Sequence, residues 1–244
     1  MKTAWVVGAS SALGGATATR LRKERFAVLS LSRTEPAPEV ADTHVRCDVT
    51  DLAEVERAVA SALAIHGAPS VVVYAAGQAA MGVTFTVPMD MARRAFAVNF
   101  WGLDAVVRGV LPAMHAAGGG TIVAILSLAA HRAITHEAYY SASKAAALRW
   151  LDCVALEAHP LGVHIKHLSP GFIDTGFFDR GGWHGMNAPP VRGSGVTPDD
   201  VAEEVWSLTR GKRSSVIGWR ERAIVLADRL SPGAYDALVR WRQK

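Results

Sequence analysis

Long hydrophobic runs are missing from this chain. No apolar stretch approaches the roughly 18 residues that a bilayer-spanning helix requires, so an integral membrane segment is not expected. Cysteine is scarce too. Cys47 and Cys153 stand far apart, fit no metal-ligand spacing and read as reduced thiols. The first residues, MKTAWVVGAS, lack a signal-peptide layout, because the apolar run is short and leads into a glycine turn; the expected location is the cytoplasm. His164 and His167, three apart in a strand, point to opposite faces and make a poor metal pair, and no metal site is expected. A strong charge of one sign is also lacking: the formal net charge is +4. Basic residues gather at Arg20, Arg22, Lys23 and Arg25, and again at Arg240, Arg242 and Lys244, without a nucleic-acid motif. They read as helix ends and a solvated tail, so nucleic acid is not an expected partner.

What the chain does contain is an ordered alternation. Half of its 244 residues are hydrophobic, enough to bury a full core in a single domain over 1–244. Apolar, β-rich runs lie at Ala4–Val7, Ala27–Leu31, Val71–Tyr74, Thr121–Leu126 and Val163–Leu168, with shorter candidates at His44–Arg46 and Ser214–Gly218. Helical signals separate them. Asp51-Leu52-Ala53-Glu54 resembles a capping box ahead of an apolar stripe. Helical stretches run from about Asp90 to Gly118 and from about Glu137 to His159-Pro160, and Thr197-Pro198 opens another. Continuous apolar strands alternating with helices predict an α/β fold, a parallel sheet with helices on both faces. Residues 176–195 break the rhythm with six glycines, Pro189 and Pro190.

Two places carry chemistry. After the first strand comes Gly8-Ala9-Ser10-Ser11-Ala12-Leu13-Gly14-Gly15, a turn into a helix whose backbone N–H groups and positive end suit a pyrophosphate. The second strand ends in Ser32 and Arg33. A carboxylate there would accept hydrogen bonds from an adenosine ribose and repel a 2′-phosphate, whereas a guanidinium can pair with that phosphate. The second place is Tyr140-Ser141-Ala142-Ser143-Lys144, where tyrosine and lysine four apart share one helix face. A free phenol titrates near 10, and a neighbouring ammonium favours the phenolate. Tyr139, rotated about 100° from Tyr140, reads as packing.

These residues resemble the short-chain dehydrogenase/reductase family over roughly residues 3–175. Gly8 and Gly14 match its Gly-x-x-x-Gly-x-Gly turn, with Ala12 in place of the middle glycine. Asn99, Ser127, Tyr140 and Lys144 resemble its catalytic tetrad in order and spacing. Cys47-Asp48-Val49 resembles its Asp-Val pair, although Asp48 could instead cap the following helix. Tyr74-Ala75-Ala76-Gly77 stands where the family has Asn-Asn-Ala-Gly, and Ser169-Pro170-Gly171-Phe172-Ile173-Asp174-Thr175 resembles its Pro-Gly segment.

The resemblance implies a Rossmann-like, doubly wound sheet of about seven strands, ordered 3-2-1-4-5-6-7. It implies NADP(H) as cofactor, with NAD(H) the weaker alternative, bound by Gly8, Ser10, Ser11, Leu13, Gly14, Ser32, Arg33, Asp48, Ala76, Gly77, Tyr140, Lys144, Pro170, Gly171, Ile173 and Thr175. In the implied reaction Ser127 steadies a substrate oxygen and Tyr140 gives or takes its proton. Lys144 holds the nicotinamide ribose and lowers the Tyr140 pKa, and Asn99 holds a relay water. The expected substrate is a small, mainly apolar carbonyl or alcohol under a lid at 176–195. A homodimer or homotetramer is expected through the helices near 90–117 and 137–159. A rival reading keeps the fold as a non-catalytic NADP(H)-sensing regulator; Ala12 and Ala75 favour it and the complete tetrad opposes it. Another reads the apolar, arginine-interleaved stretch Ala223–Trp241 as a peripheral membrane surface, although packing on a partner subunit is favoured.

Overall fold

The computed structural model describes residues 2–188, 195–231 and 233. The chain alternates as expected. β1 (Thr3–Val7) turns into α1 (Ala12–Lys23), followed by β2 (Ala27–Ser32), β3 (Thr43–Arg46), α2 (Leu52–His66) and β4 (Val71–Tyr74). A two-residue strand, β5 (Met81–Gly82), precedes a long helical rod made of α3 (Met89–Phe96), a π-helical segment at Ala97–Trp101 and α4 (Gly102–Ala116). Then come β6 (Gly120–Ile125), α5 (Ala138–Ala158), β7 (Val163–Ser169), the short α6 (Phe177–Arg180), β8 (Trp183–His184), α7 (Pro198–Thr209), β9 (Ser215–Val216) and α8 (Trp219–Leu230).

Seven strands form one parallel sheet in the order β3-β2-β1-β4-β6-β7-β9, the doubly wound arrangement the sequence resemblance implied. Burial on both faces explains the unbroken apolar runs: every residue of β2 and of β4 is buried. One core holds Trp5, Leu29, Leu31, Val72, Leu103, Val107 and Leu151, joining the sheet to α2, α4 and α5. The other holds Val6, Leu21, Val28, Val73, Leu168, Val201 and Val205, joining it to α1 and α7. Each fully buried Leu or Val contributes about 1.5–3 kcal/mol.

The helix ends carry local signals, one of them rewired. Thr197 and Asp200 form a reciprocal capping box, with Pro198 in the first turn of α7. At α2 Asp51 does accept from the Glu54 amide at 3.1 Å, but Glu54 reaches past Asp51 to the Asp48 amide at 3.0 Å and to Arg46 at 2.7 Å. The Asp48 carboxylate, for its part, accepts from Thr50 and leaves the helix cap to Asp51. The basic cluster closes α1: Arg20 pairs with Glu24 and Glu203, and Arg22 with Asp42 at 2.8 Å. Arg240, Arg242 and Lys244 lie outside the described residues, as do Pro189, Pro190 and all but the first part of the Ala223–Trp241 stretch.

The turn from β1 to α1 is sterically tight. Gly8 has φ +86°, and a Cβ on Gly14 would stand 2.1 Å from the Gly8 carbonyl oxygen, itself fixed by accepting from Ser11. Gly14→Ala is therefore expected to cost at least the usual overpacking penalty of about 1–3 kcal/mol. Urea unfolding would check this, and an unchanged midpoint would mean the turn relaxes freely.

Candidate active site

Because every strand of the main sheet is parallel, the ends of β1, β2, β4, β6 and β7 open on one edge. A cavity of about 660 Å³ lies there. It brings together Ser10, Ser11, Leu13, Arg33, Ala76, Gly77, Ser127, Tyr140, Lys144, Pro170, Gly171, Ile173 and Thr175, drawn from six separate stretches of sequence. A narrower cleft of about 120 Å³ adjoins it, lined by Gly8, Ser32 and Asp48 and sharing Ser10, Ser11, Arg33, Ala76 and Gly77. Together they join the glycine turn to Tyr140, as a dinucleotide site requires. Ala12 lines the main cavity and leaves it open.

Gly14 and Asn99 line neither space. Gly14 is held behind the turn, its amide donating to the Ser11 hydroxyl at 3.1 Å. Asn99 is almost fully buried within the π-helical segment. Its Oδ1 accepts from the Gln78 amide at 2.9 Å, and its Nδ2 donates to the Gln78 carbonyl and to Ser143 Oγ, each at 2.9 Å. Ser143 Oγ in turn donates to the Tyr140 carbonyl at 2.8 Å. Both amide hydrogens are thus committed, and the Asn99 side chain braces the β4 loop against the helix carrying Tyr140. Ser32 is likewise engaged, donating to the Thr34 carbonyl at 2.8 Å beside Ser30.

Ser127, two residues beyond β6, has an extended backbone and accepts from the Ala129 amide at 3.2 Å. Burial raises the Tyr140 phenol above its ordinary pKa; the nearby Ser127 hydroxyl opposes this and the Glu137 carboxylate adds to it. Burial alone pushes Glu137 up to about 7 and brings the Lys144 ammonium down to about 8. Lys144 Nζ donates to the Ile125 carbonyl at 3.1 Å and lies 6.0 Å from the Tyr140 ring centre. Burial dominates at the phenol, and the Lys144 ammonium is turned toward a backbone carbonyl. The arrangement keeps Tyr140 protonated, the form that donates.

Part of the segment after β7 lines the cavity. Phe177 and Phe178 line it and pack on Tyr140, with ring centres 5.9 and 6.0 Å away, and Phe172 stacks on Phe178 at 4.8 Å. Trp183 joins this cluster with Met81 and Ala79. Parallel pairing of β8 with β5 anchors it, and Thr86 Oγ1 donates to the His184 carbonyl at 2.9 Å. The glycines here serve close approach: a Cβ at Gly181 would stand 2.4 Å from Ala79 Cβ, and one at Gly185 2.3 Å from Thr86 Oγ1.

Sequence reasoning missed Gln78, Ala79, Arg180 and Arg94, all cavity or cleft residues. Gln78 and Ala79 directly follow a quoted motif; Arg94 had no signal beyond standing near Asn99. Of the bland readings, Tyr139 does pack, against Ala80, Val87 and Ala95. His131 is half-buried, its ring nitrogen Nε2 2.9 Å from Ser169 Oγ.

Tyr74 also acquires a role. Its hydroxyl donates to the Val98 carbonyl at 2.6 Å, inside the π-helical segment that presents Asn99. Tyr74→Phe would remove that buried hydrogen bond and should cost about 0.5–1.5 kcal/mol. Thermal or urea unfolding would measure it, and a loss below about 0.3 kcal/mol would show that the bond contributes nothing net.

A family model described as short chain dehydrogenase matches residues 2–181. The 2-(R)-hydroxypropyl-CoM dehydrogenase of Xanthobacter autotrophicus is 36% identical over 189 residues, 71% of this chain and 75% of that one. The ketoacyl reductase HetN of a Nostoc species is 28% identical over 98% of this chain and 88% of its own. Among solved structures, a short chain dehydrogenase from Burkholderia cenocepacia in complex with NADP superposes with a TM-score of 0.82 at 26% identity, covering 97% of this chain and 98% of that one.

Proposed function

Since this chain belongs to the short-chain dehydrogenase family of oxidoreductases, we propose that it reduces a mainly apolar ketone or aldehyde, or oxidises the matching secondary alcohol, with NADP(H) and with Tyr140 as general acid and base. The observation that carries this reading is the convergence of Ser127, Tyr140 and Lys144 on one wall of the cavity whose other end is the glycine turn and Arg33. When bound, the nicotinamide supplies or accepts the hydride. The residues present fit that group: the cavity and its cleft hold the N–H-rich turn for a pyrophosphate, and Arg33 lines both and supplies a cation for a 2′-phosphate. A relative solved with NADP supports the same choice over NAD(H).

The chain's own groups then have distinct tasks. Ser127 and Tyr140, which line the same cavity, converge on the substrate oxygen. Tyr140, held protonated by burial, delivers the proton in the reductive direction. Lys144, bonded to Ile125, is placed to turn toward ribose hydroxyls, and Ile173 and Thr175 to hold the carboxamide. Phe177, Phe178 and Trp183 exclude water from the reacting face. The homodimer or homotetramer expectation draws support from Trp101 and Leu156, which stay exposed on the helical rod and α5 in the single chain.

Tyr140→Phe should reduce kcat by about 100- to 10,000-fold while leaving NADPH affinity within a few-fold. Steady-state turnover paired with fluorescence titration separates the two, and a mutant that keeps wild-type kcat would overturn the assignment. For the substrate, kcat/KM should rise with ketone chain length in the wild type and flatten in Trp183→Ala, because truncation opens the apolar cluster over Tyr140. Small charged keto acids emerging as the best substrates would reject the apolar class.

A further inference from the structure

Two arginines reach the cleft beyond the glycine turn, and the second comes from an element that none of the recognised motifs touches. The cleft is lined by Ser32, Arg33, Asp48, Gln78 and Arg94, among others. Arg33 ends the β2 region, whereas Arg94 projects from α3 and is exposed. Basic residues near the end of a helix commonly answer its free carbonyls. That explanation does not hold for Arg94. The rod continues, with the Ala97 amide donating to the Arg93 and Arg94 carbonyls and the helical path running on through the π-helical segment to Ala116.

Both guanidinium groups act on the same carboxylate. Burial would raise Asp48, but hydrogen bonds from the Thr50 amide and hydroxyl, and then the charges of Arg33 and Arg94, hold it below the ordinary carboxylate range. Charge accounting follows directly. Arg33 against Asp48 alone would leave the cleft neutral, with little to attract a phosphate monoester carrying nearly two negative charges at neutral pH. Arg94 makes the cleft net positive.

We infer that Arg94 is a specificity-determining residue of this cleft, acting with Arg33 to select an adenine nucleotide that carries a 2′-phosphate. This rests on the NADP(H) reading above and extends it. It also explains how a glycine turn without any basic side chain can serve a 2′-phosphorylated cofactor.

The test is calorimetric and needs no turnover. Adenosine 2′,5′-bisphosphate and adenosine 5′-monophosphate would be titrated into the full-length wild type, Arg94→Ala, Arg94→Lys and Arg33→Ala, with circular dichroism confirming that each variant is folded. Arg94→Ala should weaken the bisphosphate about 10-fold or more, the size of a lost charge-assisted hydrogen bond, and leave the monophosphate within about two-fold. Arg94→Lys should recover part of the loss, and the bisphosphate affinity of Arg94→Ala should fall less steeply with salt. Equal losses for both nucleotides would overturn the inference, because Arg94 would then serve the adenine and not the phosphate. No loss in Arg94→Ala beside a clear loss in Arg33→Ala would overturn it as well, leaving the NADP(H) reading intact. If neither variant changes the preference between the two nucleotides, both readings fall.

Discussion

The parallel direction of all seven main strands is the constraint from which the site follows. A parallel sheet must be covered on both faces, because its crossover helices lie there, and it must end every strand on one edge. Gly8, Arg33, Ala76, Ser127 and Pro170 each stand just beyond the end of a different strand, so the topology gathers them around one cavity and its adjoining cleft without any long-range side-chain recognition. Ligands of open α/β sheets sit at this edge for the same reason.

A second layer of order keeps the reacting groups in register. Tyr74 at the end of β4 ties down the Val98 carbonyl, the π-helical segment turns Asn99 inward, and Asn99 links Gln78 to Ser143 beneath Tyr140. The chain departs from its family's pattern at Tyr74, and the phenol that replaces an amide there spans the distance to the helical rod. The same position forces Gly102, since a Cβ there would come within 2.7 Å of the Tyr74 hydroxyl. The departure therefore has a compensating fit in the structure, in keeping with a working site.

The segment after β7 shows how one residue type can be read in two ways. Six glycines among aromatic side chains suggest backbone freedom, and Phe177, Phe178 and Arg180 of the segment line the cavity. Yet Gly181 and Gly185 are also demanded by contact with Ala79 and Thr86, where no Cβ fits. The short β5–β8 pairing that creates this contact involves two residues on each side, too few to carry any periodicity.

The seven strands of the main sheet, the capped start of α7 and the four spaced residues Asn99, Ser127, Tyr140 and Lys144 were legible in the sequence, because periodicity, capping and motif spacing are local properties of a chain. Their expected boundaries differ from the structure by a residue or two, since strand ends are set by pairing with neighbours. What only the tertiary structure decided is how side chains from distant segments share space. It committed the Asn99 amide to Gln78 and Ser143, turned Lys144 toward Ile125, raised Tyr140 through burial and brought Arg94 to the cleft of Arg33 and Asp48. Hydrogen-bond partners, desolvation and through-space charge depend on three-dimensional neighbours, and sequence spacing carries no record of those between elements that the chain does not itself join.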